Sequence, residues 1–130
     1  MRLLRHRRLA ATPREGGDPV FVGFDEQNAH LPDALWLTQQ FPKVRVAIRA
    51  GNHMLQRIAA REGAGLALLP HYVARAEPRL RLCVVGPTPP QRELWMVTRR
   101  DDGRNPAIRA VGDALVNAFD ANQSLFQAPG

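Results

Sequence analysis

An α/β fold built on a parallel sheet is what this sequence predicts, and three observations predict it. Strand-like and helix-like segments alternate from Val20 to Leu69, with only short loops between them. The last of them, Gly65-Leu-Ala-Leu-Leu69, is apolar throughout, as a strand covered on both faces must be. The helix before it carries both of its punctuation marks, Asn52 as an N-cap and Gly63 as a stop. Strands and helices alternating through such short connections make a parallel sheet with right-handed crossovers.

Each element has its own warrant. Val20–Phe24 is a short continuous apolar run, suited to a buried strand, and Asp25–His30 is a polar loop. A helix is expected from about Leu31 to Phe41, with Pro32 and Asp33 acceptable in its first turn and Leu31, Ala34, Leu35, Leu37 and Phe41 as its apolar stripe. Pro42 stops it, because the residue before a proline disfavours the helical region. Lys43–Arg49 alternates at period two, a second strand. In the helix after Asn52, the residues Leu55, Ile58 and Ala59 share one face. A helical turn at about His71–Arg75 and a strand near Arg79–Val85 follow Pro70.

The composition then shifts. Gly86-Pro-Thr-Pro-Pro90 is a stiff linker that cannot join a ladder. Beyond it, Glu93–Thr98 reads as one strand and Asp101-Asp-Gly103 as a turn. Asn105 caps a helix with Pro106 at its first position and Ile108, Val111, Leu115 and Phe119 as a stripe. This strand and helix present a large apolar face, which needs a partner layer. Residues 121–130 read as a frayed tail.

Composition limits the function classes. A chain of 130 residues is one domain by length, and its 45% apolar share excludes wholesale disorder. No apolar run nears the ~18 residues of a membrane span, so no membrane role is expected. The lone cysteine, Cys83, has no intrachain partner and reads as a small buried thiol suited to a reducing cytoplasm. The net charge of +6 is local: Arg2, Arg5, Arg7, Arg8 and Arg14 precede the first acid, Glu15, and without them bases and acids nearly cancel. Residues 1–18 therefore read as a basic, flexible connecting segment, with phosphate contact as the alternative.

Taken in order, Val20–Asp25, Leu31–Trp36, Gly63–Pro70, Arg92–Val97 and Pro106–Phe119 resemble the effector-binding domain of LysR-type transcriptional regulators. The resemblance covers roughly residues 20–120. It implies a fold like that of type II periplasmic binding proteins, with two α/β subdomains and a small-molecule effector in the cleft between them. On that basis, residues 19–88 are the second subdomain. Residues 89–120 are a linker, a strand and a helix that cross back to the first. The family's winged helix-turn-helix and the opening elements of its first subdomain find no counterpart. The reading is thus of a truncated or partial regulator, with no direct DNA binding by this chain. The family also implies side-by-side association through the helix at 31–41 and the strand at 43–49, either with a second copy or with full-length relatives.

Ligands of open α/β sheets sit beyond the carboxyl ends of the strands, and the resemblance selects the same rim for the effector. The candidates there are Asp25, Gln27 and Asn28 from the first loop, Asn52 and His53 at a helix N-terminus suited to a carboxylate, and Pro70. Asn52 reads more readily as a cap alone, and Asn28 equally well as a loop residue. His30, His53 and His71 match no metal-ligand spacing. Ser124 is the only serine and lies in the tail, and Cys83 has no evident base, so neither an enzyme nor a cofactor is expected. Trp36 and Trp95 occupy apolar positions and read as core or interface. Two other function classes remain. One is a solute-binding module of a transport system, which shares the fold. The other is a small nucleic-acid-binding protein acting through residues 2–14.

Overall fold

The computed structural model describes residues 2–6, 19–83 and 87–127. The chain divides into two units, Met1–Gln91 and Arg92–Gly130. In the first unit a five-stranded sheet is formed by β1 (Arg2–His6), β2 (Val20–Phe24), β3 (Arg45–Ala50), β4 (Leu66–Leu69) and β5 (Leu80–Leu82). Three helices accompany it: α1 (Pro32–Gln40), α2 (His53–Arg61) and α3 (His71–Arg75). The strand order is β3-β2-β4-β1-β5.

The position of β4 decides the packing. It is the middle strand and all four of its residues are buried. Side chains alternate across a strand, so Leu66 and Leu68 enter one cluster with Phe21, Phe24, Ala34 and Leu37 on the α1 side. Ala67 and Leu69 enter another with Val22, Ala60, Val73 and Ala74, beneath α2 and α3. Burying a leucine side chain of this kind stabilises by about 1.5–3 kcal/mol. Cys83 is half-buried against the α1-side cluster, together with Trp36, which meets Phe41 edge-on at a centroid distance of 5.9 Å.

The expected elements from Val20 to Arg75 are present, with three corrections to their faces. In α1, Ala34 and Leu37 are buried as expected, but Leu35 is 46% exposed and Asp33 is buried instead. In α2 the stripe expected at Leu55 and Ile58 points outward, while Gln56 and Ala60 are buried. The small Ala60 lets the helix lie close on the sheet, and Gln56 reaches the carbonyl of Ala50 at 3.1 Å. In β3 the alternation breaks. Phe21 pairs with Val46 and Val22 with Ile48, which leaves Ala47 as a bulge and turns the rest of the strand over. The end of α2 follows expectation: Gly63 takes a positive φ of 93°, and Gly63 and Ala64 donate back to the carbonyls of Ala60 and Ala59.

The sheet is not wholly parallel. β1 runs antiparallel between β4 and β5, pairing Arg2 with Leu69 and Leu4 with Leu82. Residues 2–6, read as connecting segment and as part of a phosphate-binding arm, are therefore built into the sheet; residues 7–18 lie outside the described residues. Since β1 opposes both of its neighbours, β5 runs with β2, β3 and β4. As a result, β1 begins and β5 ends at the edge where β2, β3 and β4 have their carboxyl ends. The expected continuation of β5 over Val84 and Val85 lies outside the described residues.

In the second unit, Asn105 accepts from the Ala107 amide at 3.0 Å and caps α4 (Pro106–Ala121), with Pro106 in its first turn. Asp101-Asp-Gly103 lies in a short 3-10 turn, and a further short helix, α5 (Gln123–Phe126), occupies part of the expected frayed tail. The strand expected over Glu93–Thr98 does not form. A strand is stable only when its backbone pairs in a ladder, and among the described residues of this unit no second strand exists. Trp95 is consequently 79% exposed and Val97 86%, and the Val111, Leu115 and Phe119 face of α4 is exposed too.

At the far end of α2, Arg61, Glu62, Glu77 and Arg79 form a linked ion-pair network, with Arg61–Glu62 at 2.9 Å and Arg79–Glu77 at 3.3 Å. The hydrogen bond from Arg61 holds the Glu62 carboxyl below its ordinary value. The Arg79 backbone N–H and guanidinium do the same for Glu77. Carboxyls with lowered folded-state values add stability above their ordinary range, and lose it as pH falls through the lowered values. A Glu77→Gln variant should therefore melt below the wild type at neutral pH, and the two melting temperatures should converge on acidification. A constant gap from pH 7 to pH 3 in calorimetric melts would contradict this.

Candidate functional site

Three strand ends and the turns that follow them form the rim. After β2, Asp25 caps a 3-10 turn over Glu26–Asn28. Its Oδ1 accepts from the Asn28 amide at 3.1 Å and from Asn28 Nδ2 at 2.6 Å. The same Nδ2 also donates to the Gly51 carbonyl at 3.1 Å. Asn28 thus fastens the loop after β2 to the loop after β3, two segments 23 positions apart. Gly51 lets the Asp25 carboxylate approach: a Cβ there would stand 2.6 Å from Asp25 Oδ2 and would displace it.

From β3 the chain enters α2. Asn52 Oδ1 accepts from the Leu55 amide at 2.9 Å, so its oxygen is committed to the cap. His53 follows, half-buried, with its ring edge-on to Phe24 at 6.3 Å. Its Nδ1 lies 3.1 Å from Gln56 Oε1, while Gln56 Nε2 donates to the Ala50 carbonyl. This second bond orients the Gln56 amide with its oxygen toward the histidine, so Nδ1 carries the proton. A neutral His53 then offers Nε2 as an acceptor, and a protonated one offers a donor.

The remaining candidates are placed differently. Gln27 stands exposed on the 3-10 turn. Pro70 is buried at the end of β4, and its carbonyl accepts from the Val73 and Ala74 amides at 3.1 Å each. It shapes the edge instead of facing it. Of the histidines excluded as metal ligands, His71 is buried at the start of α3, and His30 is exposed beyond the 3-10 turn. The rim therefore gathers Asp25, Gln27, Asn28, Asn52 and His53, and leaves Pro70 underneath. Gln56, which sets the tautomer of His53, was not read as a site residue: a glutamine inside a helix looks like a solvated position until its neighbours are known. Gly51 carried a signal, a glycine directly before a cap, although its contact with Asp25 depends on a loop distant in sequence.

The family model of the LysR substrate binding domain matches residues 2–120. The chain belongs to that family. Neither the curated proteins nor the solved structures yield a match. The family's domains belong to transcription regulators and not to enzymes, and the span of the match takes in β1, which reading the sequence had left out. No helix among the described residues is long and apolar enough to cross a membrane.

Because Asn28 Nδ2 supplies the hydrogen bond between the two rim loops, Asn28→Ala should cost about 1–2 kcal/mol of stability in urea denaturation, the scale of losing hydrogen bonds to a charged group and to a backbone carbonyl. A loss under about 0.3 kcal/mol would show that the loops hold themselves in place.

Proposed function

We propose that this chain is the effector-sensing part of a LysR-type transcriptional regulator, with its rim as one wall of the effector cleft. The observation that carries the reading is the tie between Asn28 and Gly51. It fixes the Asp25 turn beside the N-terminus of α2, at the edge where open α/β sheets hold ligands. Topology supports it as well: β1 starts and β5 ends at this same edge. In the type II periplasmic-binding-protein fold that the family implies, a second lobe stands in that position.

The two sides of the rim differ in charge. Asp25 brings a carboxylate, which suits a donor group on the ligand. The first turn of α2 brings backbone N–H groups and His53, which suit an anion. The effector is therefore a small polar molecule bearing a carboxylate or similar anion at one end and a hydrogen-bond donor at the other. In the intact regulator its binding biases the arrangement of lobes and subunits and so alters promoter output. Association with a second copy or with full-length regulators occurs through α1 and β3.

A panel of small hydroxy- and amino-carboxylates, titrated against the chain and followed by amide NMR, tests the reading. Saturable shifts should cluster at residues 25–28 and 51–53. Shifts concentrated at the opposite edge, around Arg61 and Glu77, would overturn it.

A further inference from the structure

The bulge in β3 has a chemical consequence. Strict alternation from Val44 and Val46 would turn Ile48 toward α1 and Arg49 away from it. With Ala47 left out of the pairing, Arg49 aligns with Gly23, on the side of the sheet that α1 covers. The bare Gly23 makes room for Val46: a Cβ there would stand 2.9 Å from Val46 Cγ1, and at an ordinary contact distance of 3.5 Å from Arg49 Nη1. The arginine thus lies across the glycine, and its Nη1 donates to the Phe24 carbonyl at 3.3 Å.

Beside it, between α1 and the edge of the sheet, is a pocket of about 160 Å³. Its walls include Phe24, Leu37, Phe41 and Val46, and Arg49 is the only ionisable residue among them. A volume near 150 Å³ is enough for a single small ring. A guanidinium carries five N–H donors, and here one is used by a backbone carbonyl. Among the described residues Arg49 makes no ion pair.

We propose that this pocket, which adjoins the rim on its α1 side, is a second binding site, for a small monocarboxylate, with the hydrocarbon body under α1 and the carboxylate on Arg49. Two features argue for this ligand class. Apart from Arg49 the side chains of the lining are apolar except Thr38, whose hydroxyl is turned to the Ala34 and Leu35 carbonyls, so the body of the ligand is hydrocarbon. Arg49, exposed at the pocket, has donors to spare and no acidic partner among the described residues, so the ligand's polar end is an anion that accepts from a planar fork. The volume restricts the body to one small ring or a short branched chain. Because the pocket is bounded by α1 and by the edge strand β3, occupancy there bears on the elements through which the chain is proposed to associate.

The test uses cyclopentanecarboxylate as the probe and cyclopentanemethanol as its uncharged twin, each titrated into the whole chain and followed by amide NMR. The acid should shift Gly23, Thr38 and Val46 saturably, and the alcohol should bind about tenfold more weakly, the scale of a charge-assisted hydrogen bond. Arg49→Gln should weaken the acid by a similar factor and leave the alcohol unchanged, and Val46→Phe, which fills the pocket, should abolish both. Equal affinity for acid and alcohol would overturn the proposal, as would shifts confined to Asp25, Asn28 and His53. That last result would place the acid at the rim, so a failure here is distinguishable from a failure of the rim reading. Should Arg49→Gln not fold, the comparison of acid with alcohol on the unaltered chain still decides.

Discussion

Burial of β4 on both faces is the constraint from which the rest of the first unit follows. Four consecutive apolar side chains, pointing alternately up and down, cannot be covered by one layer. They demand helices on both sides, and α1 supplies one layer while α2 and α3 supply the other. A middle strand also needs neighbours on both edges, so β2 lies on one side and β1 on the other. Once β2, β3 and β4 run in the same direction, their following loops gather at one edge. The rim is thus a by-product of covering Leu66–Leu69, and Asn28 and Gly51 only tighten a juxtaposition that the sheet has already made.

The parts that were legible in the sequence are those with local causes. The Asn52 cap, the Gly63 stop, Pro106 at a helix start and the apolar run of β4 each depend on residues within a turn or two of one another, and each is found as expected. The parts that were not legible depend on partners distant in sequence. Arg2–His6 has only two apolar residues among cations, and nothing in five residues tells a strand from a basic arm until β4 and β5 are there to pair with it. The outward turn of Leu55 and Ile58 depends on Gln56 finding the Ala50 carbonyl. The bulge at Ala47 depends on the register with β2. Glu93–Thr98 has strand composition and no ladder to join.

The same division holds for the rim. Asp25, Gln27, Asn28, Asn52 and His53 could be placed at one edge from strand order alone, because the carboxyl ends of parallel strands share an edge. Their roles could not. Asn28 is a tie between loops, Asn52 a cap, and His53 a ring whose protonated nitrogen is chosen by a buried glutamine. In each case the decisive contact is a hydrogen bond whose other half the residue type alone does not name.

Native-state hydrogen exchange measures the central claim most directly, since it ranks backbone amides by how much structure must open to release them. If β4 is the doubly covered strand on which the fold rests, the amides of Ala67, Leu68 and Leu69 should be among the slowest in the chain, together with those of β2. The amides of residues 93–97, which join no ladder, should exchange at once. Rapid exchange in β4, or slow exchange at 93–97, would contradict the account.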